Sequence, residues 1–294
     1  MLTRLFIACM WVLHWLPYPV QRRMGDAIGL LLYAVVGSRR RIALRNLALC
    51  FPHWSEAERV RTAKAHCRYF ARAFFDRAIF WFAPRARLER LIRIEGEEHL
   101  DAAWPERTGK PLILLVPHFL GLDAAGVAYT FRHRGVTMYT AQKNKVIDAQ
   151  LRRGRERFNR SELYSRQEGI RPIIRAMRRG LPYYVLPDMD FGAGDAVFVD
   201  FFGVKTATIT VVPKLARSTD ANVVALIGTL AEDGSGYVAR YYPMWADYPG
   251  DRDDEAGTRF MNAFIEDRVR EHPAQYYWVH KRFKTRPPGE ASLY

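Results

Sequence analysis

The chain has 294 residues, enough to bury a large core, and a formal charge of +14 at pH 7. Of its 45 basic residues 37 are arginine, whose planar fork grips phosphates and carboxylates in pairs, so the expected partner is a phosphorylated or acidic substrate or an anionic membrane surface. Nucleic acid is not expected, since there is no zinc-finger spacing, RRM-type aromatic motif or basic-region heptad, and Cys9, Cys50 and Cys67, odd in number and without metal spacing, indicate a reducing compartment with no disulfide framework.

Leu5 to Leu16 is apolar except for His14 and carries the aromatic flank Trp11, Trp15 and Tyr18; Pro17-Tyr18-Pro19 breaks it before Arg22-Arg23. A second apolar stretch, Ala27 to Val36, ends at Gly37 and Arg39-Arg40-Arg41. Neither reaches the roughly 20 residues of a clean spanning helix. Residues 1–45 are read as a helical membrane-anchoring region that spans once or lies in the interface, with a buried hydrophobic helix as the alternative. No small-residue cleavage site follows the first run, and the arginines after it favour a cytoplasmic body.

Residues 46–294 form the second unit. Ser55-Glu56-Ala57-Glu58 is a capping-box pattern, and Val60, Ala63, Cys67, Phe70, Phe74, Ala78 and Trp81 follow at helical spacing. From Ile94 the pattern alternates. Pro111 to Val116 reads as a strand buried on both faces, and Gly121–Phe131 as a small-residue helix. Further strands are expected at Val136–Tyr139, Tyr183–Leu186, Val197–Phe202, Val223–Thr229 and Tyr237–Tyr242. Helices are expected near Ile147–Phe158, Ile170–Arg179, Ile209–Arg217 and Glu255–Arg270. The expected fold is α/β, a mixed central sheet flanked by helices.

His118 sits at the carboxyl end of the buried strand, where open α/β sheets hold their ligands. Its ring can take and return a proton near neutrality. Asp123, in the first turn of the next helix, is placed to bond the other ring nitrogen and fix the tautomer, or merely to cap backbone N–H groups. Asp188 and Asp190 in Pro187-Asp188-Met189-Asp190-Phe191-Gly192 also leave a strand end, open to metal binding, acid/base chemistry or a simple turn. Arg152-Arg153-Gly154-Arg155-Glu156-Arg157 can bind phosphate or form a solvated face. Lys205-Thr206-Ala207-Thr208 is read as an anion site at a helix start, and Lys281 to Arg286 is a further basic stretch. There is no G-x-S-x-G elbow, P-loop or G-x-G-x-x-G, and the cysteines lie far from His118, so a histidine base acting on a substrate hydroxyl is expected.

Together these segments resemble the late acyltransferases of lipid A biosynthesis, the lauroyl/myristoyl transferases of the lysophospholipid acyltransferase superfamily. The likeness runs almost end to end: Arg45-Asn46-Leu47-Ala48-Leu49-Cys50-Phe51-Pro52, His118 to Asp123, Gly154 to Arg157, Pro187 to Gly192, Val197 to Phe202, and Tyr277-Trp278-Val279-His280-Lys281-Arg282-Phe283-Lys284-Thr285-Arg286-Pro287. The resemblance implies a catalytic dyad of His118 and Asp123, and Arg155 and Asp188 as substrate or oxyanion positions. Many members carry glutamate where Asp123 stands. It further implies acyl–acyl carrier protein as co-substrate, no metal or prosthetic group, a Kdo-bearing lipid A precursor as acceptor, and the cytoplasmic face of the inner membrane as location. The alternatives are a related transferase acting on another glycolipid or an aminolipid, and a non-catalytic binder of anionic lipid.

Overall fold

The computed structural model describes residues 1–294. Proline at 17 and glycine at 37 divide the first fifty residues into α1 (Leu2–Leu13), α2 (Tyr18–Val35) and α3 (Gly37–Cys50). Ser55 opens the long α4 (Glu56–Phe82) with the expected capping box, its hydroxyl accepting from Glu58 N at 3.2 Å and its own N–H donating to the Glu58 carboxylate at 2.7 Å. α2 turns Gln21, Gly25 and Gly29 toward α4. A Cβ on Gly29 would sit 2.5 Å from the Arg68 backbone, so only glycine allows this approach. On the same seam the Asp26 carboxylate accepts from Arg72 Nε at 2.6 Å and Arg68 Nε at 3.2 Å.

The outward faces of these helices are apolar. Leu2, Leu5, Trp11, Val12 and Trp15 of α1 and its following turn, and Val20, Met24, Leu30, Leu31 and Val35 of α2, are exposed. The buried-helix alternative therefore does not hold, and no helix is long and apolar enough to cross a membrane. The division expected at residue 45 falls inside α3, whose Ala43 and Leu47 lie in the main core.

The chain continues through α5 (Arg85–Leu91), β1 (Ile92–Glu95), α6 (Glu97–Ala102), α7 (Pro105–Thr108), β2 (Leu112–Leu115), α8 (Leu122–Thr130), β3 (Val136–Tyr139), α9 (Lys145–Arg155), β4 (Glu162–Ser165), α10 (Arg171–Arg178) and β5 (Tyr183–Val185). A hairpin, β6 (Ala196–Phe201) and β7 (Val204–Ile209), precedes α11 (Val211–Thr219), β8 (Asn222–Leu230), β9 (Tyr237–Tyr241) and α12 (Asp254–Glu271). The main sheet has seven strands in the order β1-β9-β8-β2-β5-β3-β4. Its pairs are parallel except β8 with β9, so the sheet is mixed, as expected.

An unbroken apolar strand such as Leu112-Ile113-Leu114-Leu115 must be covered on both faces. Ile113 and Leu115 join the core with Leu47 of α3, Ile173 of α10, Leu215 of α11 and Ile265 of α12. Leu112 and Leu114 join Phe80 of α4, Leu88 of α5 and Ala124 of α8 on the other face. Lys205-Thr206-Ala207-Thr208 opens no helix. It lies in β7, which suits its β-branched threonines, and the buried Thr206 and Thr208 hydroxyls accept from the Arg282 guanidinium at 3.1 and 2.7 Å.

Candidate active site

Leu115 of β2 lies in register with Val185 of β5 in adjacent parallel strands. Each strand leaves the sheet through three residues, Val116-Pro117-His118 and Leu186-Pro187-Asp188. Equal exits from paired positions bring His118 and Asp188 side by side. The Asp188 carboxylate accepts from His118 N at 2.9 Å and meets His118 Nδ1 at 2.7 Å. This two-point grip makes Nδ1 the donor in the neutral ring and leaves Nε2, which has no protein partner, as the proton acceptor.

Asp188 is wholly buried. Burial pushes its carboxyl up, but the facing imidazole, the two hydrogen bonds from His118 and the charge of Arg282 outweigh this and hold it below the usual carboxylate range. The bond expected from Asp123 to the His118 ring is made by Asp188 instead, because the register of β2 and β5 brings Asp188 to Nδ1 while the Asp123 carboxylate is engaged by Arg77.

Asp123 enters the site because α8 begins against β8. Gly121 N donates to Gly228 O at 3.1 Å, and a Cβ on Gly121 would come within 2.4 Å of the Gly228 carbonyl carbon. The Asp123 side chain makes no helix cap. It accepts from Arg77 Nε of α4 at 2.6 Å, and 35% of it stays open to the cavity although protein surrounds it closely. Burial pushes this carboxyl up; Arg77, by charge and hydrogen bond, then Arg155 and His118, bring it below its ordinary value.

The arginine run at the end of α9 divides by role. Arg157 Nη1 donates to Phe80 O at 2.9 Å and ties the following loop to α4. Arg152 pairs with Glu156 at 3.5 Å. Arg155 is exposed and has no hydrogen-bond or ion-pair partner, while its neighbour Gly154 packs on Trp81, whose ring a Cβ there would approach to 2.6 Å. Asp190, the second carboxylate of its turn, accepts from Gly192 N at 2.9 Å within the turn and from Thr285 N and Oγ1 at 2.7 and 2.8 Å outside it, so the pair does more than form a simple turn.

His118, Asp123, Arg155 and Arg77 line one cavity of about 450 Å³, whose apolar walls include Trp81, Val127, Leu151 and Met189. That size suits a small-molecule or acyl-chain site. A proton acceptor, an unpaired guanidinium and a largely apolar cavity are the parts that acyl transfer to a hydroxyl needs. Arg77 escaped the sequence reading. Its only signal was a charged Asp76-Arg77 pair inside the aromatic-rich stretch Phe74 to Phe82.

Comparison with known proteins gives the family. The model of the bacterial lipid A biosynthesis acyltransferase family matches residues 1–285. The lipid A biosynthesis lauroyltransferase of Escherichia coli K12 is 33% identical over 100% of this chain and 94% of its own length. The palmitoleoyltransferase of the same organism is 31% identical over the same shares, and the myristoyltransferase 31% identical over 94% of this chain and 83% of its own. Among solved structures the 1-acyl-sn-glycerophosphate acyltransferase from Thermotoga maritima gives a TM-score of 0.41 at 11% identity, covering 86% of this chain and 97% of that one, too remote to inform the site. On the family match and the full-length relatives, the chain belongs to the bacterial lipid A biosynthesis acyltransferases.

Proposed function

We propose that this acyltransferase moves a fatty acyl chain from acyl–acyl carrier protein to the 3-hydroxyl of an acyl chain on the Kdo-bearing lipid A precursor. The observation that carries the reading is His118, gripped at Nδ1 by a buried carboxylate and open at Nε2 to an apolar cavity beside a free guanidinium. His118 Nε2 takes the hydroxyl proton as the oxygen attacks the thioester carbonyl. Arg155, with Arg77, steadies the tetrahedral oxyanion. Collapse breaks the carbon–sulfur bond, and the leaving thiolate recovers the proton from His118. No acyl-enzyme forms and no prosthetic group takes part.

Asp188 orients the imidazole, whereas Asp123 acts from the cavity wall, within electrostatic reach of His118 and bonded to Arg77. The relatives' names favour lauroyl, myristoyl or palmitoleoyl donors. The exposed apolar faces of α1 and α2, flanked by Arg22-Arg23 and Arg39-Arg40-Arg41, lie in the interface of the inner membrane's cytoplasmic leaflet. α1 also meets the start of α9, where Asn144 donates to Thr3 Oγ1 at 2.8 Å, so the leaflet-facing helices adjoin an element that lines the cavity and a lipid acceptor would enter from that side.

The test is to incubate the purified protein with a panel of acyl–acyl carrier proteins and the Kdo-bearing tetraacyl precursor, beside His118→Ala, and weigh the products. A gain of one acyl group that vanishes in the variant supports the reading. Unchanged transfer by the variant overturns the role of His118, and no gain with any donor overturns the acceptor assignment.

A further inference from the structure

The carboxyl-terminal segment from Gln275 to Arg286 contains no helix or strand, yet Gln275, Tyr276, Trp278, Arg282 and Phe283 are buried. Buried irregular backbone must find partners for its polar groups. Here many of those partners are the two turns of the site. Leu120 N donates to Gln275 O at 2.8 Å and Tyr277 N to His118 O at 3.1 Å, with an antiparallel bridge between Phe119 and Tyr276.

The strap then crosses to the second turn. Asp190 N donates to His280 Nε2 at 3.1 Å. The Asp190 carboxylate accepts from Thr285 N at 2.7 Å and Thr285 Oγ1 at 2.8 Å. Asn46 of α3 braces the strap from behind, donating to Trp278 O at 2.7 Å and His280 O at 2.8 Å. Asp188 and Asp190 are therefore two residues of one turn engaged on different partners, Asp188 with His118 and Asp190 with the strap. Displacing one displaces the other.

We infer that His280, Asp190 and Thr285 are positioning residues, which hold the turn from Pro187 to Gly192 so that Asp188 meets both N–H groups of His118 at once. The inference rests on the reading of His118 as base and Asp188 as its orienting partner. A two-point grip tolerates displacement of only about 0.5 Å, and the turn has no regular structure to supply that rigidity. To accept from Asp190 N–H, His280 Nε2 must keep its lone pair, so the ring is neutral with its proton on Nδ1. Burial, then the charges of Arg282 and His118, push the ring down to about 4 against the opposing pull of Asp190 and Asp188, which preserves the acceptor at neutral pH.

His280→Leu removes the acceptor, and His280→Gln returns a carbonyl oxygen at similar reach. With lauroyl–acyl carrier protein and the Kdo-bearing tetraacyl precursor, His280→Leu should lower kcat about 10-fold or more with KM for either substrate within about twofold, and His280→Gln should recover most of the loss. Thr285→Val, which keeps the backbone bond and the volume, should fall in the same direction and Thr285→Ser should not; this pair decides the matter if His280→Leu does not fold. A downfield proton resonance of His118 Nδ1–H, identified by its loss in His118→Ala, needs no substrate and should persist in His280→Gln but vanish in His280→Leu. Full activity and an intact resonance in His280→Leu, or equal losses in the Gln and Leu variants, overturn the inference. Asp188→Asn separates the two levels: wild-type kcat in that variant sinks the reading of the His118–Asp188 pair, whereas a low value beside an unaffected His280→Leu sinks only the role of the strap.

Discussion

Two carboxylates lie near His118 in unequal settings. Asp188 is wholly buried and bonded to both N–H groups of His118, so an amide there presents a donor to the ring and favours the wrong tautomer. Asp188→Asn should lower kcat by about 10²–10⁴. Asp123→Asn keeps an acceptor for Arg77 and leaves the ring's orientation to Asp188, so about a 10-fold loss is expected. Parallel kcat measurements check the ranking, and equal losses would contradict it. Arg155, free of protein partners, should cost about 10² in kcat when changed to alanine if it faces the oxyanion; a change confined to KM for the acceptor would assign it to a substrate phosphate. At this scale His118 and Asp123 were legible as a pair in one segment. The contact of His118 with Asp188 was not, because 70 residues separate them and only strand pairing joins them.

Among the elements, α4 gathers the most functions. It packs on the glycine face of α2, supplies Arg77 and Trp81 to the cavity, and buries Asp76, which is 1% exposed. Asp76 Oδ2 accepts from Tyr237 OH at 2.6 Å while its other oxygen has no partner. Burial pushes this carboxyl up to about 7, against the hydrogen bond from Tyr237 and the charges of Arg72 and Arg87. Between about pH 4 and 7 the folded chain therefore keeps a proton that the unfolded chain has released. The contribution of Asp76 to stability falls as pH rises through that window, by up to about 1.4 kcal/mol per unit. His66 and His280, both pushed down to about 4 by burial, act oppositely, and their contribution is lost as pH falls through the same range. Comparison with Asp76→Asn isolates the carboxyl: wild type should gain unfolding midpoint relative to the variant as pH drops from about 8 to 5. A difference that stays flat across this range would show that Asp76 is ionised in the fold.

At the scale of the whole molecule, the apolar outer faces of α1 and α2 reverse the pattern of a helix on a water-facing surface. Their exposed Leu5, Trp11, Leu31 and Val35 are expected to enter the outer part of a leaflet while the neighbouring arginines meet its headgroups. Replacing both Leu5 and Leu31 with glutamate should weaken partition to anionic phosphatidylglycerol vesicles by at least about 10-fold, since burial of each leucine is worth about 1.5–3 kcal/mol. Vesicle co-sedimentation checks this, and quenching of Trp11 and Trp15 by shallowly brominated lipid distinguishes an interfacial seat from a deep one. Binding unchanged in the double variant would place the contact elsewhere on the molecule.

What the sequence determined by itself was local. The periodicity of apolar residues predicted most strands and helices, prolines and glycines marked the breaks between α1, α2 and α3, and Ser55 with Glu58 announced α4, because each signal acts over a few residues of chain. β4 and β7 escaped, being short or rich in polar threonine. Only the tertiary structure decided which side chains meet. Register between β2 and β5 gave His118 its carboxylate, the contact of α4 with α8 brought Asp123 to Arg77, and an irregular carboxyl-terminal strap reached Asp190 through His280 and Thr285. Such contacts follow from strand order and packing, which couple residues far apart in the chain and leave no trace in the spacing along it.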